Sequence, residues 1–207
     1  MKIIEKKIFL TSNGLNDKSK KLFFEGIGKE PGDVRVIYVP TAGLSSDGAR
    51  ESFAIGLYEL LNMGIRDNNI FVYNLELLLS KGYEKTYSSY IVNVPLLAKV
   101  LTENDLQMFD AILVGGGEST VLCREMVRTG FDKFLKLAIE QGLAYVGISA
   151  GSMYAAGNLK EGMHLIDNAI IPHWDGKMID YVPVSDEDIL LSDGQVIYID
   201  KDGSKIL

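Results

Sequence analysis

The amino-acid sequence predicts an α/β fold. It has three layers, with a mainly parallel, doubly wound sheet between helices and an antiparallel extension at the C-terminal end. Three observations carry this expectation. Short apolar β-type runs alternate with longer amphipathic stretches over most of the chain. Two of those runs end in glycine-rich turns, Gly115–Gly117 and Gly147–Gly151, and open sheets of this kind bind ligands at the carboxyl ends of their strands. The last fifth changes style, with short β-type runs punctuated by Asp193–Gly194 and Asp202–Gly203.

Lys7–Ser12 (KIFLTS) is the first predicted strand, and Lys18–Ile27 carries apolar residues at helical spacing. Arg35–Pro40 (RVIYVP) is apolar without alternation, as a strand buried on both faces should be. Ala49–Met63 is predicted helical from the stripe Phe53, Leu57, Leu60 and Leu61, with Gly64 as its stop. Ile70–Leu75 is the third strand. Glu84–Asn93, rich in Tyr, Ser and Val, fits either an exposed edge strand or a loop, with Tyr83, Tyr87 and Tyr90 as packing residues. Pro95–Leu101 and Glu103–Phe109 read as short helices. Ala111–Val114 is the fourth strand, and Gly130 separates helices at Thr120–Arg128 and Phe131–Gln141. Ala144–Ile148 is the fifth strand, followed by Ser149 and a short helix. A further apolar run ends at Pro172. Asp188–Ser192 and Gln195–Asp200 are predicted to form a hairpin about Asp193–Gly194.

With 207 residues and 47% hydrophobic content, one domain spanning residues 1–207 is expected. The formal net charge of -7 repels phosphate backbones, so no nucleic-acid partner is expected, although 21 Lys and Arg leave room for a local basic pocket. Cys123 is the single cysteine, which excludes an intrachain disulfide and suits a reducing compartment. Its place inside a predicted helix makes it a packing residue. The N-terminal apolar run is too short and too charged for a signal segment, and no run approaches a membrane span. The expectation is a soluble, cytoplasmic protein with no membrane partner. Two histidines and one cysteine are too few for a structural zinc site, and neither metal nor other cofactor is expected.

Gly147–Ile148–Ser149–Ala150–Gly151 fits G-x-S-x-G between a strand and a helix. A sharp turn there brings the two glycines too close for side chains, and it holds the seryl oxygen at the sheet rim. The next amide, that of Ala150, becomes an oxyanion donor. Small residues are common where strands meet helices, so the serine needs a base. Only His164 and His173 exist. His173 follows Pro172 at a strand end and is preferred, while His164 sits beyond a charged turn and reads as a surface residue. The third member, which orients the imidazole, is sought among Asp186, Glu187, Glu161, Asp167 and Asp175, with Asp186 preferred. Gly115–Gly116–Gly117 precedes a helix without the lysine of a phosphate loop or the third glycine of a dinucleotide fingerprint. Its functional reading is a second oxyanion amide from Gly116 or Gly117. Its plain reading is a tight turn capped by Ser119 or Thr120.

These residues, together with Val39–Pro40–Thr41–Ala42 and Pro172–His173, resemble the peptidase E family of serine peptidases, to which cyanophycinase is related. The resemblance runs from about Lys7 to Val196. It implies a fold similar to the class I glutamine amidotransferase domain, with serine in place of cysteine, and a cytoplasmic peptidase acting on a small peptide. Ser149 then matches the nucleophile, His173 the general base, and Gly116, Gly117 and Ala150 the oxyanion region. The resemblance to cyanophycinase places the acid after the histidine, which favours Asp186. Trp174–Val182 (WDGKMIDYV) contains no arginine of the kind that peptidase E uses for aspartate, and Lys177 is its one cation. A non-catalytic ligand-binding module, an amidase and an esterase are the alternatives, and a homodimer is compatible with each.

Overall fold

A computed structural model describes residues 7–44, 49–78, 100–176 and 185–207, with the backbone alone for Ala49 and Arg50. The elements expected at Glu84–Asn93 with its tyrosines, and at Pro95–Leu101 up to residue 99, lie outside the described residues, as does Lys177.

Five strands form the parallel part of one sheet: β1 (Ile8–Thr11), β2 (Val36–Val39), β3 (Ile70–Val72), β4 (Ala111–Val114) and β5 (Ala144–Ile148). Two further strands, β8 (Val196–Asp200) and β9 (Gly203–Ile206), extend it antiparallel beyond β1, in the order β3-β2-β4-β5-β1-β8-β9. Between β2 and β3 lie a single turn α2 (Thr41–Leu44) and the helix α3 (Ala49–Asn62). Helix α1 is Asp17–Ile27, α4 is Ser119–Thr129, α5 is Phe131–Glu140, and α6 is Ala150–Ala155.

The strands β1, β2, β4 and β5 are buried along their whole length, as their unbroken apolar runs require. Alternate residues feed two cores. Phe9, Tyr38, Leu113 and Val146 face Phe23 of α1 and Leu60 of α3. Leu10, Ile37, Ile112 and Tyr145 face Leu122 and Met126 of α4 and Leu135 of α5. Burying a side chain such as Phe23 contributes about 1.5–3 kcal/mol. Helix α1 starts at Asn16, whose side chain accepts from Ser19 N–H, and stops at Gly28, whose φ of 73° suits a residue without a β-carbon. The sheet is therefore a stiff three-layer platform, and it anchors the turns that leave the carboxyl ends of its strands.

A second, two-stranded sheet pairs β6 (Ile170–Pro172) with β7 (Ile189–Leu191) in parallel. This corrects the hairpin expected around Asp193–Gly194. Strand β7 turns away to β6, while β8 pairs with β1 and β9. The local Asp-Gly signal reports a turn, but the partner of each flanking strand is set by non-local packing. Ile170 and Leu191 are both fully buried in the core, which fixes that choice. The Asp202–Gly203 turn does join an antiparallel pair, β8 and β9.

Candidate functional site

Ser149 stands between β5 and α6 with φ 48° and ψ -105°, a left-handed-side conformation that L-residues seldom adopt. Its neighbours make the turn feasible. A β-carbon on Gly147 would lie 2.8 Å from the Gly151 backbone, and one on Gly151 would lie 2.3 Å from Val114 O. Only glycine fits at either place. The turn is tied to β1 through Ser149 N–H donating to Thr11 O (2.9 Å) and Thr11 N–H donating to the Ser152 hydroxyl (2.7 Å). Thr11 and Ser152 are fully buried, so these polar groups are satisfied within the fold.

His173 follows β6, also at positive φ, 58°. Its Nε2 lies 3.1 Å from Ser149 Oγ, and its Nδ1 lies 2.9 Å from Asp193 Oδ1. The sequence-predicted pair is thus brought together. The acid is different from the one expected. Both ring nitrogens of His173 are engaged, so neither Asp186 nor Glu187, Glu161, Asp167 or Asp175 takes the orienting position. The topology explains the correction. Strand β7 runs parallel to β6, so Asp186 enters at the far end, where Ile189 N–H bonds to Ala169 O. The site end is about 10 Å away along a three-residue strand. Asp186 is exposed in the turn that Ser185 and Asp188 close. Asp193 comes after β7, at the end where Pro172 pairs with Leu191, and so arrives beside His173. The signal that could have found it is this register: in a parallel pair the residues beyond the two strands come level with one another.

Asp193 has its carboxyl held below the ordinary aspartate value of 3.8. The hydrogen bond from Ser12 is the largest cause; burial opposes it, and the hydrogen bond and charge of His173 then lower it further. His173 and Asp193 are 52% and 55% exposed, so solvent screens their mutual attraction and the pair acts by orientation more than by strength.

Gly116 and Gly117 lie opposite. A β-carbon on Gly116 would sit 3.2 Å from Ser149 Cβ, and one on Gly117, at φ 131°, would sit 2.2 Å from Ala42 O. Gly115 N–H and Glu118 N–H bond to Val39 O and Ala42 O, which pins the loop on both sides of those glycines. The helix cap is Glu118, whose carboxylate accepts from Thr120 N–H, in place of the expected Ser119 or Thr120. Ala150 is buried as the first residue of α6.

A cavity of about 180 Å³ opens beside Ser149, lined by Gly115, Gly116 and Gly117, by Ser12 and Asn13, and by Ser52, Ile55 and Gly56 of α3. Gly56 has no side chain because a β-carbon there would meet the Tyr38 hydroxyl at 2.3 Å. Tyr38 in turn hydrogen-bonds to the carbonyls of Ser52 and Phe53, and burial pushes its pKa far up, so it stays neutral beneath this wall. A larger apolar cavity of about 330 Å³ lies along β3 at Phe71 and Tyr73, and none of its lining residues belongs to the serine site. Among the described residues, no group of three or more His, Cys, Asp or Glu could hold a metal ion. Nor is any helix among them long and apolar enough to cross a membrane. Cys123 is buried in α4, and its thiol pKa is pushed up by burial first and by Glu161 and Asp132 next.

The architecture and this site define an α/β protein of the class I glutamine amidotransferase-like fold, with a Ser-His-Asp constellation at the carboxyl rim of its sheet. The family model of peptidase family S51 matches residues 91–207, and the chain belongs to that family. Over 51 residues it is 45% identical to peptidase E of Streptomyces coelicolor, a match covering 25% of this chain and 21% of that protein. Over 98 residues it is 31% identical to the pyridoxal 5'-phosphate synthase subunit PdxT of Fervidobacterium nodosum, covering 45% of this chain and 47% of that one. The matched stretches thus span less than half the length of these curated relatives. Among solved structures, a Listeria monocytogenes EGD-e protein assigned to peptidase E superposes with a TM-score of 0.61 at 22% identity, covering 98% of both chains. A peptidase from an acI-B1 actinobacterium gives 0.61 at 16% identity, covering 98% of this chain and 87% of that one. At such identities these likenesses establish the fold.

Proposed function

We propose that the chain is a serine-type peptidase that hydrolyses a peptide bond of a small peptide through Ser149, His173 and Asp193. The observation that carries the reading is the continuous relay from Ser149 Oγ to His173 Nε2 and from His173 Nδ1 to Asp193 Oδ1, at 3.1 and 2.9 Å. Membership of peptidase family S51 supports the reaction class.

In this reading the turn at Ser149 is a nucleophile elbow. The Ser149 hydroxyl attacks the carbonyl carbon, and its proton passes to His173 Nε2. Asp193 accepts from Nδ1–H, which fixes the tautomer and stabilises the imidazolium that forms. The amides of Gly116 or Gly117 and of Ala150 hold the developing oxyanion, each worth about 2.7–4 kcal/mol of barrier. The leaving amine takes the proton from His173. Water then enters and attacks the acyl carbon while His173 takes its proton, and His173 returns that proton to Ser149 Oγ as the acyl–oxygen bond breaks and the acid leaves.

The cavity of about 180 Å³ is below the size that drug-like ligands use, which supports a substrate of dipeptide size. None of the described residues lining it is Lys or Arg, so the described wall offers no cation to an acidic substrate side chain. The single cysteine, reduced and buried, suits a cytoplasmic setting.

The test has two arms. A fluorophosphonate probe should add its mass to the peptide that contains Ser149, and a panel of dipeptides, amides and esters should show turnover on the dipeptides. Preference for amides or esters would move the reading to an amidase or an esterase. No labelling and no turnover would leave a binding module.

A further inference from the structure

We infer that Ser12 is a positioning residue that seats both His173 and Asp193 on the end of β1, an assignment that rests on the Ser-His-Asp reading of the site. Ser12 is fully buried immediately after β1. Its hydroxyl accepts from His173 N–H, and it is also the largest cause of the lowered pKa of the Asp193 carboxyl. A hydroxyl has one proton and two lone pairs, so one that accepts from the amide keeps its proton to offer the carboxylate. Neither partner is a neighbour in sequence, and neither belongs to the main sheet.

The flanking residues act in the same sense. Asn13 Oδ1 accepts from Gly194 N–H at 3.0 Å, holding the turn that carries Asp193. Thr11 Oγ1 accepts from Gly14 N–H at 3.1 Å and donates to Gly147 O at 3.1 Å, linking this segment to the strand that delivers Ser149. Thr11–Gly14 is therefore where the three turns bearing nucleophile, base and acid are fastened to one another. Ser12 differs from its neighbours because its hydroxyl bonds the backbone of the base and lowers the pKa of the acid. His173 holds a left-handed backbone conformation, φ 58°, which needs such support. Asp193 is more than half exposed, and the bond from Gly194 N–H to Asn13 Oδ1 holds the turn that presents its carboxylate.

The experiment reads the imidazole directly. With only His164 and His173 in the chain, histidine labelled with ¹⁵N gives two ring systems, and His164→Gln assigns them. Wild type, Ser12→Ala, Ser12→Cys and Ser12→Thr are compared by the His173 Nδ1–H resonance across pH. The expected result is a downfield Nδ1–H signal in wild type. Ser12→Ala should lose it, and Ser12→Thr should restore it in part. Dipeptide turnover by Ser12→Ala should fall by about 10- to 100-fold in kcat, with a smaller change in KM, because the hydroxyl is committed to His173 N–H rather than to the cavity. Ser12→Cys keeps the side-chain volume and serves if the alanine variant does not fold. An unchanged Nδ1–H signal in a folded Ser12→Ala or Ser12→Cys protein would overturn the assignment. Failure of wild type to label or turn over would sink the peptidase reading alone, since the resonance reports the seating of His173 without any substrate.

Discussion

His164 and His173 adopt nearly the same backbone conformation, φ 51° and 58°, in two loops that meet different surroundings. The His164 ring reaches Lys160 O at 3.1 Å, and the amides on either side of it, Met163 N–H and Leu165 N–H, tie its loop to Tyr154 and Ala155 at the end of α6. The His173 ring spans from a serine to a carboxylate. A left-handed turn displays a side chain in both cases. What the ring then meets depends on which strand ends stand beside it. Chemistry here is a property of the place where β1, β5 and β6 finish together, and not of the residue type.

The largest expected effect removes the nucleophile that one histidine has and the other lacks. Ser149→Ala should lower kcat on a dipeptide by more than about 10⁴-fold while far-UV circular dichroism is unchanged. Retained turnover in a clean preparation would end the comparison. Next come the histidines themselves. His173→Gln should lose about 10⁴-fold in kcat, whereas His164→Gln should stay within about twofold. Equal losses would show that His164 also serves the reaction.

The carboxylates sharpen the contrast further. Asp193→Asn should cost between about 10²- and 10⁴-fold in kcat, with the upper end set by buried triads and the exposure of this pair pulling it down. Asp186→Asn should be neutral in the same assay. A smaller effect concerns the turn. Gly151→Ala must move the Val114 carbonyl and should destabilise the fold by about 1–3 kcal/mol, measured by urea denaturation.

The smallest effect is in pH. Asp193 has a depressed pKa in the folded chain, so its contribution to stability is complete above the ordinary value of 3.8 and is lost as pH falls through the lower folded value. Wild type and Asp193→Asn should therefore differ in acid melts only above that range and converge below it. Curves that stay parallel to the lowest pH would contradict the Ser12 and His173 contacts as the cause.

Much of the fold and part of the site are legible in the sequence, for reasons that differ from place to place. Strands β4 and β5 can be placed to the residue because Gly115 and Ser149–Gly151 end apolar runs abruptly. Helix ends follow from Gly64 and Gly130, both at positive φ. The turn α2 at Thr41–Leu44 leaves no periodic signal, since four residues are too few to show one. Ser149 and His173 are identifiable because the motif is local and histidine is scarce. Asp193 is hidden because its role depends on β7 running parallel to β6, and the Asp-Gly pair it opens suggests a hairpin instead. Ser12 is hidden too. A serine after a strand is ordinary, and its two partners lie 161 and 181 residues further along the chain, the first distance being that of the bond to His173 N–H and the second equal to 193 minus 12.

In the proposed mechanism the small ribbon of β6 and β7 delivers proton acceptor and counter-charge as one unit, while the attacking oxygen belongs to the main sheet. Its moorings among the described residues include Ile170 and Leu191 sunk in the core, Asn158 bonded to both backbone groups of Ile170, and the contacts at the tip of β1. Prising that ribbon loose would silence both partners of the hydroxyl in a single event and leave the serine intact but inert. Loss of reactivity would then precede melting of the sheet, as a latch opens before the frame gives way.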